Sequence, residues 1–97
     1  MIPGMIQSFR DQATAQLFQR RLPRRFPPNL RGIAWRKLAV LNAVEGLDDL
    51  RVPPGNRLEK LAGDREGQYS IRINERWRIC FRWHEGNAYD VEITDYH

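Results

Sequence analysis

The residue types best equipped for chemistry in this chain are the arginines Arg72, Arg76, Arg78 and Arg82 and the closing run Asp95-Tyr96-His97. Arginine presents a planar fork that grips phosphate at two points and stacks on bases. Histidine, with a reference pKa of about 6.5, gives or takes a proton at neutral pH. Tyrosine stacks on a base or donates its phenolic proton. Together they would suit RNA cleavage without a metal, in which the substrate's own 2′-OH attacks the adjacent phosphorus. That reaction needs a base for the 2′ proton, cations on the phosphorane, and an acid for the leaving 5′ oxygen. Arg78 and Arg72 are the candidates for the phosphate, and His97 and Tyr96 for proton transfer. The same residues also describe ordinary arginines on the wet face of a half-buried sheet beside a fraying terminus, and spacing alone favours that plainer reading.

Other chemistries have less to stand on. There is no phosphate-cradling glycine loop, no His-Glu-x-x-His and no nucleophile elbow. The spacing of His84 and His97 suggests no metal site, and the single Cys80 rules out an intrachain disulfide or a thiolate cluster. No metal and no cofactor are therefore expected.

The elements that must position these residues follow from periodicity. Met5–Phe9 alternates apolar and polar side chains and could open the fold as a strand. Ser8, three residues before Asp11, predicts a helix start with Ala13, Leu17, Phe18 and Leu22 on its buried stripe. Pro23 should end that helix, with Arg20, Arg21, Arg24 and Arg25 gathered at its negative pole. A second helix is predicted from an Asn29 N-cap, through Leu30, Ile33, Ala34, Leu38, Leu41 and Val44, to Gly46. Residues 47–68 are irregular, with a short strand near Leu58 and Leu61.

From Tyr69 the period becomes two. Tyr69, Ile71 and Ile73, then Trp77, Ile79, Phe81 and Trp83, then Tyr89, Val91 and Ile93 alternate with polar residues around turns near Asn74-Glu75 and His84–Asn87. This predicts an α+β fold in which two N-terminal helices cover the apolar face of a small antiparallel meander. Trp77, Ile79 and Phe81 should point into the core, and Arg76, Arg78 and Arg82 away from it.

Ninety-seven residues make one small domain. No apolar run approaches the roughly 18 residues that span a bilayer, and the first residues lack the pattern of a secretion signal. A cytoplasmic protein without membrane contact is expected. The charge is lopsided: residues 1–43 carry net +7 and residues 44–97 net −3, with fourteen arginines among sixteen basic residues. A sequence pI near 9.8 points to nucleic acid or to an acidic protein partner.

Three stretches carry a resemblance. The run Arg57–Asn74 (RLEKLAGDREGQYSIRIN), the Trp77-Arg78-Ile79 that follows, and the ending Asp95-Tyr96-His97 resemble the HigB branch of the RelE/ParE toxin superfamily, in that family's order and spacing. Met5–Phe9 is similar to its first strand. The similarity covers nearly the whole chain as one domain over 1–97, with residues 1–4 as an N-terminal extension. It implies a RelE-like, microbial-RNase-like fold and a ribosome-dependent endoribonuclease that cuts translated mRNA in the A site. It also implies a HigA-like helix-turn-helix antitoxin and, through the complex, contact with operator DNA.

Carried over residue by residue, the resemblance implies catalytic positions at Arg78, Asp95, Tyr96 and His97, with Arg72 approximating a second family arginine. Arg57, Arg65, Arg76 and Arg82 are further candidates for holding the RNA backbone. Several members carry His at the position of Glu59 and Lys at that of Ala62, so a proton-transfer or phosphate-binding group of that loop is missing or replaced. Two alternatives stay open: a ParE-like inhibitor of DNA gyrase, and an inactive homologue that keeps only antitoxin and operator binding.

Overall fold

Asp11 starts the first helix in the computed structural model, which describes residues 4–95. Its carboxylate accepts the Thr14 amide at 2.7 Å, satisfying an orphan donor of α1 (Gln12–Phe18). Ser8, expected to begin this helix, instead accepts the Asp90 amide with its hydroxyl at 2.9 Å. The run expected to reach Pro23 also stops early. Arg20 turns the chain with a left-handed φ of 65° and lays its guanidinium carbon 3.8 Å from the Trp35 ring centre. Trp35 Nε1 donates to the Phe18 carbonyl at 3.2 Å, so a tertiary contact replaces the next helical turn.

Leu22, expected on the buried stripe, is consequently 68% exposed. The expected cluster of arginines at the helix end forms only in part: the last turn of α1 holds no basic residue, while Arg20 and Arg21 follow directly after its Gln19 cap. Arg25 reaches back to the N-terminal cap instead, 3.1 Å from Asp11.

Helix α2 (Pro28–Ala43) begins at Pro27 rather than Asn29, with Pro28 at a first-turn position where a missing N–H costs nothing. It ends on Val44, two residues before the expected Gly46. Leu30, Ala34, Leu38 and Leu41 are buried along one stripe, as their spacing predicts. Short 3₁₀ turns at Leu47–Arg51, Pro54–Asn56 and Gly63–Arg65 surround β1 (Glu59–Lys60). This segment is organised by Asn56, which is fully buried. Its Nδ2 donates to the carbonyls of Leu50 and Val52 at 3.2 and 3.3 Å, and its Oδ1 accepts from Lys37 Nζ of α2.

Strands β1, β2 (Gln68–Arg72), β3 (Trp77–His84) and β4 (Asn87–Asp95) form an antiparallel sheet in sequence order. Glu85 and Gly86, with φ of 48° and 82°, make the tight turn between β3 and β4. Ile71, Ile73, Ile79, Phe81, Val91 and Ile93 form the inner face, in one core with the buried stripe of α2.

The even alternation expected through β4 breaks at Asp90. Pairing runs Cys80↔Glu92 and then Arg82↔Tyr89, so β4 carries one extra residue, Asp90, with φ of 53°. Ala88 therefore faces the core, and Tyr89, expected there, lies on the side of Arg82. The bulge receives the N-terminal segment. Residues 5–10 run parallel to β4, with Ile6 opposite Ala88 and Phe9 opposite Val91. Gln7 and Arg10 amides donate to Ala88 and Val91 carbonyls at 2.8 and 3.0 Å. Among the described residues no helix is long and apolar enough to cross a membrane.

Candidate active site

The outer face of the sheet is built by strand parity. Gln68, Ser70 and Arg72 on β2, Arg78, Cys80 and Arg82 on β3, and Glu92 and Thr94 on β4 share it by register. Arg78 points away from the helices, as expected, but it is not displayed to solvent. Its exposure is 6%, and Ser70 and Cys80 beside it are fully buried. The reason is the irregular segment, which folds over this face and places β1 against β2, with Glu59 opposite Ser70.

Arg78 is held on two edges. Its Nε donates to Ser70 Oγ at 2.8 Å, and one Nη2 hydrogen donates to the Arg57 carbonyl at 2.8 Å. Arg57 adopts a left-handed φ of 46°, which turns that carbonyl towards the guanidinium. Glu59 Oε1 lies 3.5 Å from the same Nη2 and is half-exposed. Arg72 stands directly across from Arg78, its Nε donating to the Asn74 carbonyl at 3.0 Å. Two arginines opposite one another repel; Glu59 and the carbonyl acceptors offset that cost. The result is a fixed guanidinium fork in a largely water-excluded setting, where its charge acts more strongly than at an open surface.

The other sequence candidates are distributed less evenly. Arg65 Nη1 bridges Gln68 and Glu92, both at 3.1 Å, and so braces the segment against the sheet. Arg82 pairs with Asp90 at 3.5 Å. Arg76, expected to point away from the core with Arg78 and Arg82, instead pairs with Asp95 at the helix-side edge of the sheet, near Pro27 and Asn29, an interaction that strengthens its hold on its proton. Asp95 is opposite Trp77, so register turns it to the helix side of the sheet rather than towards Arg78. Arg57 contributes its carbonyl here, while its side chain is exposed. Tyr96 and His97 lie outside the described residues. The half-exposed pair of Arg82 with Asp90 is weak enough for a polyanion to displace.

Sequence reasoning did not count Ser70 as a member of this site, and it met Glu59 only as the replacement of a family histidine. Both lie within the stretch that carried the resemblance, and the two-residue period of β2 put Ser70 on Arg78's face. What it could not give was the fold of the Arg57–Glu59 segment over that face. Cys80 lies beneath the same cluster, and burial pushes its thiol pKa up, which keeps it protonated and unreactive. No three histidines, cysteines or carboxylates gather into a metal-binding group among the described residues.

An antiparallel sheet with helices on one face and a walled arginine cluster on the other defines a small α+β protein with a cationic outer face. The sequence matches the model of the RelE-like toxin of the type II toxin–antitoxin system HigB over residues 7–97. It is 38% identical over 90 residues to Toxin HigB-1 of Vibrio cholerae, covering 92% of this chain and 95% of that one. It is 30% identical over 93 residues to Endoribonuclease HigB of Proteus vulgaris, covering 96% and 100%. The chain belongs to the HigB family of RelE-like type II toxins, and that membership implies an antitoxin partner.

Proposed function

We propose that this protein is an endoribonuclease that cuts translated mRNA in the ribosomal A site and so stops translation. The observation that carries the reading is Arg78: a buried guanidinium, fixed by Ser70 and the Arg57 carbonyl, with Arg72 across from it. Support comes also from the relative in Proteus vulgaris whose name is Endoribonuclease HigB.

In the proposed reaction the 2′-oxygen bonds to phosphorus and the bond from phosphorus to the 5′ oxygen breaks. The products are a 2′,3′-cyclic phosphate and a 5′-hydroxyl. Arg78 and Arg72 stabilise the charge that builds on the phosphorane oxygens, a role that rewards groups held in place beforehand. Glu59, beside Arg78, takes the 2′ proton, and Tyr96 or His97 returns one to the leaving oxygen. No metal enters these steps. Arg57, Arg65 and Arg82 hold the RNA backbone, and Asp95 keeps Arg76 at the strand end. A HigA-like helix-turn-helix antitoxin restrains the toxin, the complex binds operator DNA, and the setting is the cytoplasm.

The test is purified protein with programmed ribosomes and mRNA, with naked mRNA in a parallel arm. Cleavage confined to the ribosomal arm is the expected result. Intact mRNA together with inhibited DNA supercoiling would move the protein to the gyrase-poison class.

A further inference from the structure

Residues 12–44 contain seven basic side chains and no acidic one. Among the described residues, Arg20, Arg21, Arg24, Arg31 and Arg36 make no ion pair; the only carboxylate contact from this stretch is Arg25 to Asp11. Part of this charge rims an open groove of about 360 Å³ between the exit of α1 and the outer side of α2. Its floor is apolar: Leu17 and Trp35, with the exposed Leu22 at the edge. Arg20, Arg31 and Arg36 stand around it, and Arg31 Nε is buried without a hydrogen-bond partner.

Gly32 opens the groove. It sits inside a 16-residue helix, where glycine costs about 0.5–1 kcal/mol relative to alanine. A Cβ added there would meet nothing nearer than Arg36 Nη1 at 3.8 Å, so the core does not require glycine at this point. What a larger residue would remove is the groove itself.

We propose that this groove seats an acidic segment of the antitoxin, with one apolar side chain resting on Trp35 and Leu22 and carboxylates on Arg20, Arg31 and Arg36. The inference rests on the partner that family membership implies and not on RNA chemistry, so it stands or falls apart from the nuclease reading. Because the Arg20 guanidinium already lies 3.8 Å over the Trp35 ring, that face is closed to a stacking base, and a floor completed by the aliphatic Leu22 favours a protein segment over RNA. Pairing of opposite charge at the rim also makes association depend on salt.

The experiment is titration of the purified toxin with the antitoxin encoded by the neighbouring reading frame, at low and at physiological salt. Gly32→Leu should weaken binding at least 10-fold at both salts, because it fills the groove without changing charge. Arg20→Glu with Arg36→Glu should weaken it at least 100-fold at low salt and flatten the salt dependence. Gly32→Ala and Arg51→Glu, the latter far along the chain from the groove, should stay within 3-fold of wild type. Melting curves identify any variant that has not folded, and the charge-reversed pair then carries the result in place of Gly32→Leu. Wild-type affinity in both the filled and the charge-reversed variants overturns the proposal. So does unchanged antitoxin binding with lost ribosome binding, which would assign the face to ribosomal RNA.

Discussion

Arg78→Ala is expected to slow RNA cleavage roughly 100- to 1,000-fold, the usual loss when one preorganised charge-stabilising donor is removed. Binding to the ribosome should change little, because the other arginines on the face still hold the backbone. Arg78→Lys should recover only a small part of the rate. An ammonium keeps the charge but cannot satisfy Ser70 Oγ and the Arg57 carbonyl from one rigid plane. The substitution to alanine also leaves those two acceptors without their donor, at about 1–3 kcal/mol of stability for buried groups of this kind. Rates are therefore to be compared well below the variant's melting temperature. Full cleavage by folded Arg78→Ala would remove Arg78 from the reaction.

The second large effect is expected far from the phosphate. Asn56→Ala should destabilise the fold by about 2–4 kcal/mol, because the buried Leu50 and Val52 carbonyls lose their donor and Lys37 its acceptor. For a domain near 100 residues that corresponds to a fall in melting temperature of roughly 10–20 °C. Cleavage should drop as well, even where the variant is folded, since residues 57–59 follow directly and supply the Arg57 carbonyl and Glu59 to Arg78. A thermal melt and an activity assay on the same preparation check both halves. Wild-type melting would show that Asn56 does not hold this segment.

Much of this architecture was legible because periodicity and burial agree. The stripe from Leu30 to Leu41 and the alternation from Tyr69 to Phe81 each have one face that must leave water, so helix, strands and the side of Arg78 all follow. Boundaries failed where a distant contact decided them. Nothing local to Arg20 says that it will leave the helix to stack on Trp35, or that Ser8 will cap the bulge at Asp90 rather than α1. The bulge itself is a pairing event between β3, β4 and the N-terminal segment, invisible in a run that alternates well on paper.

The site divides in the same way. Strand parity put Arg72 and Arg78 on one face, and parity equally turns Asp95 to the side of Trp77, which reading the closing run as a unit obscured. The enclosure of Arg78 depends on an irregular segment fixed by one buried asparagine, and irregular backbone carries no period to read.

The most direct measurement uses a ribosome-bound mRNA carrying a single 2′-deoxy nucleotide on the 5′ side of the cut phosphate, beside the same mRNA with ribose there. The proposed attack by the neighbouring 2′-OH predicts that the ribose substrate yields a 2′,3′-cyclic phosphate and a 5′-hydroxyl, and that the deoxy substrate stays intact at that bond. A deoxy substrate cut at the same bond, or a product ending in a 3′-hydroxyl with a 5′-phosphate, would contradict it.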